Sequence, residues 1–69
     1  KLVHVESPAE GFPNPVVESG KDVVKGDALG YVGGKIVTSP ATGKLIRVAK
    51  DVYIFEKETF ASIAPVEEV

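Results

Sequence analysis

The chain has 69 residues, enough for one small domain around a single core. Its ten acids and eight bases leave a net charge of −2, which excludes a nucleic-acid binder built on clustered cations. It has no Cys, so disulfides, thiolate nucleophiles and Cys-based zinc sites are out, and no apolar run approaches the ~18 residues of a membrane span.

Nineteen residues are Val, Ile or Thr, against three Leu and no Met, so strand formers dominate. At 43% hydrophobic the sequence is too apolar for a solvated coil. Period-2 patterning predicts an opening strand over 2–6 and a short one over 15–18 that Ser19-Gly20 closes. Val23 and Val24 lead into Lys25-Gly26-Asp27, a turn in which Gly26 takes positive φ without steric penalty. A strand over 28–32 then meets Gly33-Gly34, a two-residue hairpin tip of the primed type. Strands over 36–38, 44–49, 53–55 and 59–63 follow, and 65–69 reads as a tail. No segment longer than a turn asks to be a helix.

The chain repeats itself. Ser7-Pro8-Ala9-Glu10-Gly11 recurs as Ser39-Pro40-Ala41-Thr42-Gly43, at an offset of 32. Beyond it the offset becomes 31: Val17 lies over Val48, Val23 over Ile54, Val24 over Phe55 and Val32 over Ile63. Gly26-Asp27-Ala28-Leu29 lies over Lys57-Glu58-Thr59-Phe60. Two copies are too few for a solenoid. We therefore expect one domain over 1–64, in which half-repeats of about 7–32 and 39–63 bury a shared face by pseudo-twofold pairing. Its core should contain Val17, Val23, Leu29, Val32, Ile46, Val48, Ile54, Phe60 and Ile63.

Catalytic chemistry finds little support. Neither Ser7 nor Ser39 sits in the Gly-x-Ser-x-Gly frame of a serine hydrolase, so their Pro and Gly neighbours read as setting strand and corner. His4 is the sole histidine and cannot by itself supply the three or four ligands zinc requires; it reads as an exposed strand residue. Asp22, Asp27, Asp51, Glu56 and Glu58 fall at predicted turns, where acids bond local backbone N–H groups. The Gly30-Tyr31-Val32-Gly33-Gly34 stretch lacks both phosphate-binding glycine patterns and a following helix. No catalytic or metal-ligating residue is assigned. Lys35, just past the hairpin tip, has two readings: a lysine carrying a covalent cofactor arm, or a solvated charge that discourages edge pairing.

The run Val17-x-x-Gly20-x-x-Val23-x-Lys25-Gly26-Asp27-x-Leu29-Gly30, followed by Ser39-Pro40-Ala41-x-Gly43, resembles the biotinyl/lipoyl-type barrel-sandwich hybrid. The likeness spans about residues 5–64 and implies an all-β fold, a flattened two-sheet barrel with quasi-twofold symmetry. Carrier members place their modified lysine in Met-Lys-Met or Asp-Lys-Ala, whereas this chain has Gly34-Lys35-Ile36, five residues before Pro40. Ser7-Pro8-Ala9-Glu10-Gly11-Phe12 before Pro15-Val16 is most similar to the C-terminal β-domain of the succinylglutamate desuccinylase/aspartoacylase family. Asp51 and Lys57 stand where that pattern usually has glycines.

That resemblance implies a non-catalytic accessory domain whose partner is the catalytic domain of the same chain. It implies no cofactor here, and zinc, with its ligands and catalytic Glu, in the separate α/β domain. The alternative is a biotinyl/lipoyl-like module of a multi-subunit enzyme, an electron-transport subunit or a periplasmic membrane-fusion adaptor. The chain begins at Lys1 without an initiator Met, so we expect a piece of a longer protein. A cytoplasmic location is expected, with no nucleic-acid partner and no membrane insertion.

Overall fold

A computed structural model describes residues 1–66. It contains seven strands: β1 Val3–Glu6, β2 Asn14–Pro15, β3 Asp22–Val23, β4 Ala28–Val32, β5 Lys35–Thr38, β6 Gly43–Val48 and β7 Thr59–Pro65. No helix occurs among the described residues. The strands form two antiparallel sheets, one in the order β1-β7-β6-β3 and one in the order β2-β4-β5. Each sheet therefore takes strands from both the first and the second part of the chain.

The pairings recur with the sequence. In the β4–β5 ladder Ala28 faces Thr38, Gly30 faces Val37, Tyr31 faces Ile36 and Val32 faces Lys35. In the β7–β1 ladder Thr59 faces Glu6, Ala61 faces Val5, Ser62 faces His4 and Ile63 faces Val3. Each ladder skips one residue, Leu29 in β4 and Phe60 in β7, and both of these are buried. A bulge of this kind re-aims a side chain that strict alternation would send outward. The β3–β6 pair Val23–Gly43 is matched by the isolated bridge between Ile54 and Gly11.

Hydrogen bonds at the repeated serines cross between the two parts. Gly26 N–H donates to Ser39 O at 2.8 Å and Ser39 N–H to Asp27 O at 2.8 Å. Lys57 N–H donates to Ser7 O at 2.9 Å and Ser7 N–H to Glu58 O at 2.7 Å. Each turn thus closes on the serine of the other part. Gly26 has the expected positive φ, 97°, and Lys57 keeps that geometry at 75° without being glycine.

The core joins Val5, Val23, Leu29, Val32, Val37, Leu45, Ile54, Phe60, Ala61 and Ile63, with Val17 and Val48 partly buried against it. Ile46 was expected inside and is instead 46% exposed, while Leu45 is fully buried. The cause is a register shift between Leu45 and Arg47, which leaves Ile46 outside and returns Val48 toward the core. The same bulge alters the repeat. Val16 N–H donates to Leu29 O as Ala49 N–H donates to Phe60 O, so the structural offset here is 33 and Val17 does not lie over Val48.

Two expected strands are shorter than predicted. After Pro15 one more bond forms, Val16 N–H to Leu29 O, and the chain then bends at Val16 and Val17 instead of continuing as a strand to Glu18. Of 53–55, only Ile54 pairs, through reciprocal bonds with Gly11 of 2.9 and 3.0 Å. Gly30 is closely approached: a Cβ there would lie 2.7 Å from Asn14 O and 2.8 Å from Phe60 Cζ. β7 continues to Pro65, and Val66 N–H donates to Thr42 O at 2.9 Å. Positions 67–69 of the expected tail lie outside the described residues.

Candidate functional site

Gly33 and Gly34 take φ of 57° and 79°, which closes β4 onto β5 in a two-residue turn. That turn places Lys35 in the ladder, opposite Val32, as the exposed first residue of β5. Ser7 and Ser39 are buried, and each hydroxyl donates to the carbonyl two residues on, Ala9 and Ala41, at 2.6 Å. Their protons are committed to local turns, a role the motif alone did not reveal.

One pairing was invisible in the sequence. His4 and Ser62 face each other across β1 and β7, with Nδ1 and Oγ 3.0 Å apart. Nucleophile and base reach each other here, but catalysis also needs an orienting acid and oxyanion donors, and no such bonds to His4 or Ser62 are present among the described residues. The contact gives the buried Ser62 hydroxyl a partner. Of the acids expected at turns, Asp27 accepts from Val24 N–H at 2.9 Å and Glu58 from Phe55 N–H at 2.7 Å. Asp22 lies instead in β3 and pairs with Lys44 Nζ at 3.4 Å. No three His, Asp or Glu among the described residues converge to hold a metal ion.

The concentrated feature is an aromatic surface. Phe12, Tyr53 and Phe55 are 69%, 41% and 57% exposed. Tyr53 meets both phenylalanines edge to face, with ring centroids 5.3 Å apart in each pair. The Gly11–Ile54 bridge positions all three, because it pins the residues that flank them. Tyr53 Oη donates to Glu10 Oε2 at 2.6 Å. This hydrogen bond raises the phenol above its usual 10.0, with lesser help from desolvation and the carboxylate charge. The segments flanking Phe12 and Tyr53 run on into an open groove of about 700 Å³ lined by Pro13, Pro15, Val17, Val48, Lys50 and Asp51. Apolar rings beside a shallow polar groove suit recognition of a protein surface better than turnover of a small substrate. Sequence reasoning placed 53–55 in a strand and so missed this cluster; the alternation of Tyr53 and Phe55 about buried Ile54 was the available signal.

No family model matches the chain, and no curated protein does. Among solved structures, the fold recurs in an aspartoacylase family protein from Mesorhizobium loti, with a TM-score of 0.76 and 17% identity. The superposition covers 94% of this chain and 24% of that one, so the chain spans about a quarter of the protein it resembles.

Proposed function

We propose that this chain is a non-catalytic β accessory domain of an aspartoacylase-like zinc hydrolase. It packs on the catalytic domain and shapes which substrates reach the active site. The observation that carries this is the recurrence of nearly the whole fold within one quarter of an aspartoacylase family protein. The two sheets, with strands exchanged between repeated halves, support a barrel-sandwich hybrid of the biotinyl/lipoyl-like type. Zinc, in this proposal, belongs to the catalytic domain, since the described residues here bring no three ligands together.

The test compares the full-length parent with a version ending before residue 1 of this chain, each assayed on a panel of N-acyl amino acids. The truncated enzyme should accept bulkier acyl amino acids, with altered ratios of kcat/KM across the panel. A truncated enzyme that folds and keeps its substrate profile unchanged would overturn the gating role.

A further inference from the structure

The repeat supplies an internal control for the aromatic surface. By the offsets of 31 and 32, Phe12 corresponds to Lys44, Tyr53 to Asp22 and Phe55 to Val24. The pairings agree, because the Gly11–Ile54 bridge matches the Val23–Gly43 pair. One of the two related slots holds the Asp22–Lys44 ion pair, whose side chains are 85% and 55% exposed. The other holds two rings in edge-to-face contact, Phe12 and Tyr53. The fold is therefore satisfied by a solvated ion pair at this position, and folding alone does not call for the rings. Exposed aromatics in contact with one another mark surfaces that a partner covers.

We infer that Phe12, Tyr53 and Phe55 form the face by which this domain docks on the catalytic domain of its parent chain, while the Asp22–Lys44 face stays in solvent. This rests on the accessory-domain reading proposed above. Three-quarters of the solved aspartoacylase family protein lies outside the part this fold matches, which provides a large surface for such an occupant. The acid in the patch argues against a second copy. Glu10 holds the Tyr53 hydroxyl at 2.6 Å and Glu56 follows Phe55, so a symmetric dimer through this face would bring carboxylates toward carboxylates. The fitting surface is an apolar hollow with a cationic or N–H rim facing Glu10. Bound there, the partner would also overhang the groove along 13–19 and 48–51.

The test uses the full-length parent with photoreactive p-benzoylphenylalanine in place of Phe55, and in place of Val24 as the control. Irradiation should join position 55 to a peptide of the same molecule outside residues 1–69, and position 24 to nothing. The double substitution Phe12→Lys/Tyr53→Asp, which copies the ion pair of the related slot, should speed proteolytic separation of the two domains several-fold. Linkage of position 55 to a second copy would overturn the assignment. Linkage from position 24 but not 55 would also overturn it, leaving the accessory-domain reading intact. Failure of the reading itself has a separate sign, a full-length parent without hydrolase activity on any N-acyl amino acid.

Discussion

At the scale of single residues, backbone conformation tells more than side-chain chemistry. Lys57 and Asp51 hold φ of 75° and 59°, a region that costs a residue with a Cβ roughly 1–2 kcal/mol. Their counterparts Gly26 and Gly20 sit at 97° and 94° at no such cost. Lys57→Gly should therefore raise stability by about 0.5–1 kcal/mol, because relief of strain exceeds the added freedom of the unfolded chain. Gly26→Ala should lower it by about 1 kcal/mol or more, although a Cβ there meets no atom within 4 Å. Urea denaturation of both variants checks this, and shifts of the same sign would refute it. Tyr53 offers a second check. Its raised pKa means the folded state holds the phenolic proton more tightly than the unfolded state does. The stabilisation is complete below 10.0 and is lost as pH climbs from there through the folded value. Ultraviolet titration should show one tyrosine ionising above 10.0, and Glu10→Ala, which removes the acceptor, should bring it down; an unmoved curve would mean the hydrogen bond does not form in solution.

Strands and turns show where sequence patterning works and where it stops. The hairpin at Gly33-Gly34, the strand Ala28–Val32 and the turn at Gly26 are legible because glycine and apolar alternation mark them directly. The edge of β6 is not. Gly43–Val48 offers Leu45, Ile46 and Val48 as apolar residues, and only the bulge before Arg47 decides which point inward. Pairing with β7 sets that bulge, so nothing local encodes it. Leu45→Ala should cost about 2–5 kcal/mol and Ile46→Ala less than ~1 kcal/mol. Equal losses in thermal or chemical melts would show that the bulge is misplaced. β2 spans two residues instead of four because the chain bends at Val16 and Val17, a bend that the apolar pair Val16-Val17 does not announce. The aromatic surface escaped notice because period-2 apolar residues read as strand, and the sequence does not say which face of 53–55 is covered.

Across the whole molecule, the repeat was the most informative signal, since it anticipates ladders that match pair for pair. What it does not convey is that the two related slots are no longer equivalent, an ion pair in one and edge-to-face rings in the other. The crossed bonds at Ser7 and Ser39 carry a different consequence, for how the polypeptide can be divided. Cut between Gly33 and Gly34, the first peptide would keep β1 to β4 and the second β5 to β7, and neither would own a complete sheet. Each piece alone should be unstructured by circular dichroism. Mixed, they should regain the strand spectrum at a rate that scales with the product of their concentrations. A strand spectrum from residues 1–33 alone would contradict this. The uncut chain inherits the complementary hazard: at high concentration, one molecule's second half can complete another's first, which makes exchange of halves its natural route to a swapped dimer.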